Sequence, residues 1–126
     1  MTPESDDRPP GTPAANPYAR TLVNDGFTVV EAAGEIDLAT AGFLGEHLDA
    51  ATSAAGPEVL VDLRRVEFFD CSGLRALCRA ESRARERGGR LRVVADGPRL
   101  HRLLRASGLW LRFPPLSEIP EFPRER

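Results

Sequence analysis

Hydrophobic positions come in short runs whose spacing changes along the chain, and each change marks an element. Residues 18–23 form a β-prone run, and Asn24-Asp25-Gly26 supplies residues that tolerate positive φ, so a hairpin turn leads into a second strand over 27–33. Gly34-Glu35-Ile36-Asp37 ends that strand. Beyond it Ala41, Leu44, Leu48, Ala51 and Ala55 recur at i+3 and i+4, the stripe of an amphipathic helix with Asp37 as N-cap and Gly56-Pro57 as its stop. Val59-Leu60-Val61-Asp62-Leu63 is apolar at nearly every position, which suits a central strand covered on both faces.

The alternation then settles into strand and helix. A helix follows Phe68-Phe69-Asp70-Cys71-Ser72-Gly73, with Leu74, Leu77, Cys78 and Ala84 on one stripe. Gly88-Gly89 stops it, and Arg83, Arg85 and Arg87 near its end complement its dipole. Residues 91–95 read as a strand. Asp96-Gly97-Pro98 opens a third helix with Leu100, Leu103 and Leu104 inward, ended by Ser107-Gly108, and residues 109–113 add a last short strand. The order is β-β-α-β-α-β-α-β: a single α/β domain with a mixed, mainly parallel sheet, right-handed crossovers and helices packed on one or both faces. Val59, Val61, Leu63, Leu44, Leu48, Leu77, Val93 and Leu103 are the expected core. Function is expected where strand ends lead into helices.

Composition sets bounds on this picture. The chain has 126 residues, 41% hydrophobic and 29% charged, enough for one globular domain. Residues 1–17 hold five of the eleven prolines and are expected to be a disordered tail; the domain spans 18–113, and a proline-rich tail runs over 114–126. No apolar run approaches the ~20 residues of a membrane span. The start, with Glu4, Asp6 and Asp7 among prolines, carries no apolar leader, so the expectation is a cytoplasmic protein with reduced thiols and no membrane insertion.

The net charge of -2 conceals an asymmetry, with 4 Arg against 13 acidic residues through Asp70 and 13 Arg against 6 after it. No aromatics interleave with those arginines and no reader motif is present, so no nucleic-acid partner is expected. Two surfaces of opposite sign that pair within the fold, or steer a protein partner, explain the pattern. Cys71 and Cys78 lie two helical turns apart, roughly 10.5 Å along the axis, beyond the ~7 Å reach of a disulfide. His47 and His101 sit in other helices with no ligand spacing, so neither a metal site nor a cofactor is expected.

The residues that hold chemistry are Asp70-Cys71-Ser72-Gly73, at the mouth of the second helix. Four backbone N–H groups there lack partners. Ser72 or Asp70 either caps the helix, worth about 1 kcal/mol, or the orphan donors and the dipole make room for a phosphate. A nucleophile elbow wants glycine two residues before and after the serine, and those positions are Asp70 and Leu74. With no glycine-rich phosphate loop either, no catalytic residue is assigned.

Together, Gly34-Glu35-Ile36-Asp37, Val61-Asp62-Leu63 and Phe69-Asp70-Cys71-Ser72-Gly73-Leu74 resemble the successive signatures of STAS domains, and more narrowly the anti-sigma factor antagonists of bacteria. The resemblance covers about residues 18–113. It implies a STAS-like fold and a regulator, not an enzyme, whose phosphoacceptor by position is Ser72. The implied partners are an anti-sigma factor with serine kinase activity and a phosphatase. The unphosphorylated form binds the anti-sigma factor and frees the sigma factor; phosphorylation ends the interaction. The implied partner surface holds Asp37, Asp70, Cys71, Gly73, Leu74 and Arg75. By position alone Arg75 and Arg79, which follow Ser72 on the helix, read as a solvated face, with Arg75 close enough to contribute to that surface. Cys71 departs from the Ser or Thr usual there, which leaves the acceptor intact but bears on partner specificity. A STAS scaffold, or a cytoplasmic accessory subunit of a lipid-transport complex without phospho-regulation, is the alternative the same motifs allow.

Overall fold

A hairpin starts the sheet. In the computed structural model, which describes residues 8–24 and 26–120, β1 (Ala19–Asn24) pairs antiparallel with β2 (Phe27–Ile36) up to a last pair Asn24↔Phe27. Asp25 of the expected turn lies outside the described residues. β3 (Glu58–Phe69) then joins β2 in parallel, and β4 (Arg90–Val94) joins β3 in parallel, giving the order β1-β2-β3-β4. The sheet is mixed and mainly parallel, as the pattern predicts.

Strand alternation sorts the side chains onto two faces. Val30, Ala32, Val59, Val61, Leu63, Leu91 and Val93 share one buried cluster with residues of all three helices: α1 (Ala41–Ala51), α2 (Cys71–Glu86) and α3 (Pro98–Ala106). The helices therefore cover one face. On the other, Phe27, Val29, Leu60 and Val94 form a smaller cluster under Leu116 and Ile119. Ion pairs Arg20–Glu31 (2.6 Å), Arg64–Asp62 (2.9 Å) and Arg90–Glu58 (2.9 Å) surround that second patch. Burial works against ionised Asp62, but its hydrogen bonds with the Arg64 side chain and backbone outweigh it and hold the carboxyl below the usual range. Every expected core residue is buried except Leu103, which is half-buried; its neighbour Leu104 takes the inward position on α3.

Several boundaries move, each for a local reason. β2 continues through Gly34 to Ile36 because Gly34 takes φ +75 at a register shift against β3, a conformation that costs glycine little. β3 runs on from Leu63 to Phe69, past its last pairing with β4 at Asp62↔Val94. α1 begins at Ala41 and stops at Ala51, so Ala55 is exposed beyond its end.

The expected last strand over 109–113 is absent. Those residues turn instead, with Leu109 N–H donating to the Leu104 carbonyl and Phe113 N–H to that of Leu109. Arg112 pins the turn to α2 through Glu81 (2.8 Å), the Cys78 carbonyl (2.9 Å) and Ser82 (2.8 Å), while Phe113 is buried. Leu116, three residues on, makes a single parallel bridge to Val94. Within residues 8–17, Asn16 bridges Ala19 and the Ala14 carbonyl meets His47 Nε2 at 3.2 Å; residues 1–7 and 121–126 lie outside the description.

Candidate functional site

The parallel register brings the two singled-out segments to one end of the sheet. Ile36 and Phe69 pair as the last residues of β2 and β3, and Asp70 N–H donates to the Ile36 carbonyl at 3.2 Å. Asp37 and Asp70 thus leave adjacent strands at the same level. Each then organises its own turn. Asp37 Oδ1 accepts from Ala39 N–H (3.0 Å) and Thr40 N–H (3.1 Å), while the Thr40 hydroxyl reaches back to the Glu35 carbonyl at 2.6 Å. The N-cap of α1 is Thr40, not Asp37 as the pattern predicts; the carboxylate braces the turn before the helix.

At α2 the structure identifies which residue caps the helix. Asp70, in extended conformation, is the N-cap, and its Oδ1 accepts from Ser72 N–H at 2.8 Å. Ser72, two residues into the helix, is freed from capping; it is half-exposed, and its hydroxyl has no hydrogen-bond partner among the described residues. Cys71 is exposed beside it, and both cysteines are free thiols. Gly73 and Leu74 face inward: Leu74 is in the core, and the Phe69 ring lies against Gly73 so closely that a Cβ there would fall 2.5 Å from Cζ. Arg75 is exposed on the outer side of the same turn.

A cleft of about 460 Å³ between α1 and α2 begins at Ser72. Arg75, Arg79 and Arg83, spaced by four along α2, form one wall, and Gly42, Gly45, Glu46 and Asp49 of α1 form the other. Arg83 is held by Asp49 (2.5 Å) and by the Thr52 hydroxyl (3.0 Å). Among the described residues, Arg75 and Arg79 pair with no carboxylate. A larger cleft of about 880 Å³ lies between the overhanging end of β3 and α3, and Ser72 does not line it.

The α1 wall, Thr40 and the exposed apolar residues Leu38 (83% exposed) and Phe68 (50%) were not singled out from the sequence. The four-residue spacing of the arginines was legible; their assembly with Gly42 and Gly45 required the helix pairing. Among the described residues no helix is long and apolar enough to cross a membrane.

Comparison with known proteins agrees with the fold. Residues 23–110 match the family model described as "Mlab, STAS domain". An anti-sigma F factor antagonist of Paenibacillus polymyxa is 30% identical over 90 residues, covering 71% of this chain and 77% of that one. The crystal structure of an anti-sigma factor antagonist from Mycobacterium paratuberculosis superposes with a TM-score of 0.73 at 32% identity, over 80% of this chain and 86% of the other. A STAS domain protein of Planctomyces limnophilus, 23% identical with a TM-score of 0.70 over 80% of this chain and 91% of its own, shares the fold.

Proposed function

This chain belongs to the STAS-domain family, and from that premise we propose that it is an anti-sigma factor antagonist switched by phosphorylation of Ser72. In this reading the unphosphorylated protein binds an anti-sigma factor that is also a serine kinase, and the sigma factor is released. A phosphatase resets the switch. The observation that carries the reading is the Ser72 hydroxyl, unpartnered among the described residues and half-exposed where α2 begins, with Asp70 doing the capping in its place.

The surroundings suit a protein partner. Leu38 and Phe68 are exposed apolar side chains at the same end of the sheet, and Asp37, Asp70 and Arg75 supply charge. Exposed apolar side chains with charged neighbours are the materials of a specific interface. Gly73 and Leu74 contribute from beneath, by letting α2 approach Phe69 and by anchoring the turn to the core. A phosphate adds about -1.5 to -2 charge at pH 7, two residues from Asp70, on a surface that docking would bury. The switch is local charge and bulk, with no refolding.

The test is incubation with the cognate anti-sigma factor and ATP, followed by peptide mapping. Phosphate on Ser72, lost in Ser72→Ala, is the expected result. Label on another residue, or equal labelling of Ser72→Ala, refutes the assignment. Asp37→Ala is expected to weaken capture of the anti-sigma factor while the domain stays folded.

A further inference from the structure

We infer that Arg75 and Arg79 act on both sides of this switch: they are the cationic wall that receives an acidic segment of the partner, and the internal counter-ions that hold the phosphate once Ser72 carries one. The inference rests on the reading of Ser72 as the phosphoacceptor.

Three features of the cleft lead here. Ser72, Arg75 and Arg79 line the same cavity. Residues three apart on a helix are neighbours, and helical side chains lean toward the N-terminus, so Arg75 and then Arg79 incline toward Ser72. Second, of the three arginines only Arg83 has its charge answered, by Asp49, while Arg75 and Arg79 pair with no carboxylate among the described residues. Third, the opposite wall is open where the arginines need room: a Cβ at Gly42 or Gly45 would meet nothing within 4 Å. Two glycines in an 11-residue helix weaken it relative to alanine, and they keep that wall low.

The helix end is not the natural receptor for the phosphate. Asp70 already accepts from Ser72 N–H, and its carboxylate repels a second anion. A phosphate turned away from Asp70 and down the cleft meets two guanidinium groups instead, and Arg–phosphate pairs are charge-assisted and often bidentate. The modification transfers the γ-phosphoryl group of ATP to Ser72 Oγ: the Oγ–P bond forms, the bond to the ADP oxygen breaks, and the hydroxyl proton leaves to a base of the kinase. The phosphate then takes the arginines that an acidic partner segment would need. Phosphorylation in this way competes with the partner from within the chain, in addition to repelling it.

The experiment uses the full chain with phosphoserine installed at position 72 during translation, so no kinase is needed. The ³¹P resonance is titrated with pH in the wild-type background and in Arg75→Gln/Arg79→Gln, with thermal melts of both. Glu46 and Asp49 line the cleft and Asp70 caps the turn beside Ser72; all three are common to both proteins, so the difference isolates the arginines. The second ionisation of the phosphate is expected about half a pH unit lower with the arginines present. Identical titrations overturn the counter-ion assignment. If the double variant melts early, the single Arg79→Gln takes its place, with the same criterion. The unphosphorylated double variant is expected to bind the anti-sigma factor about tenfold more weakly, and unchanged binding overturns the partner-wall assignment. Capture of the phosphoserine protein as tightly as the unmodified one refutes the functional reading separately, whatever the titration shows.

Discussion

Replacing Gly34 by alanine, beside the same replacement at Gly42, tests how the chain around the candidate site is built. Gly34 sits at φ +75, where β2 shifts register against β3, and a Cβ there would meet the Tyr18 ring at 3.7 and 3.8 Å, ordinary contact distances. No steric clash contributes, so the cost is that of placing an L side chain in the left-handed region, about 1–2 kcal/mol. Asparagine tolerates that region better, and Gly34→Asn should recover part of the loss. Gly42 is helical and exposed, and an added methyl would meet nothing within 4 Å, so Gly42→Ala should stabilise by about 0.5–1 kcal/mol. Urea unfolding monitored by circular dichroism reads both, and in a domain of this size each kcal/mol corresponds to about 4–8 °C in Tm. The same chemical change should thus move stability in opposite directions at two positions of one chain. Destabilisation at both sites, or at neither, refutes the argument from backbone conformation.

Other outcomes follow from the packing and the charges. Leu48→Ala removes a side chain that is 1% exposed and should cost about 2–5 kcal/mol in urea unfolding, whereas a loss under 1 kcal/mol would mean the α1 face is not buried. Asp70→Ala withdraws the acceptor from Ser72 N–H and should cost about 1 kcal/mol, most of it restored by Asp70→Ser. Burial lowers the pKa of His47 from its usual 6.5, the hydrogen bond to the Ala14 carbonyl opposing the shift only in part. Because the folded state disfavours the proton, the resulting stability is complete above about pH 6.5 and falls as pH drops through the depressed value. Urea midpoints at pH 7.5 and 5.5 should therefore differ, and the difference should shrink in His47→Gln.

Much of this arrangement was legible in the sequence, because it rests on periodicity and on turn chemistry. The stripes of Leu44 and Leu48 and of Leu74 and Leu77, and the unbroken apolar run from Val59, gave the helices and the central strand. Failures came where a tertiary contact, or a better-placed neighbour, overrode a local signal. Residues 109–113 have the apolar content of a strand, but Arg112 reaching Glu81 and Cys78 turns them toward α2, an interaction spanning about thirty positions that no local pattern encodes. Asp37 reads as an N-cap, yet Thr40 stands nearer the first helical residue and Asp37 braces the turn instead. At the site itself, the motif located Ser72 and the structure added what a motif lacks: that Asp70 alone does the capping, and that Gly42 and Gly45 face the arginines across a cleft.

The central claim is that a phosphate on Ser72 separates this protein from its anti-sigma factor, and the dissociation constant of that pair tests it most directly. Measured by calorimetry with unmodified, Ser72-phosphorylated and Ser72→Ala protein, binding should weaken by about 30- to 1,000-fold on phosphorylation, a loss of about 2–4 kcal/mol. Ser72→Ala should bind like the unmodified protein and stay bound when kinase and ATP are added. Equal affinity of the phosphorylated and unmodified forms, with the phosphate mapped to Ser72, would contradict the account.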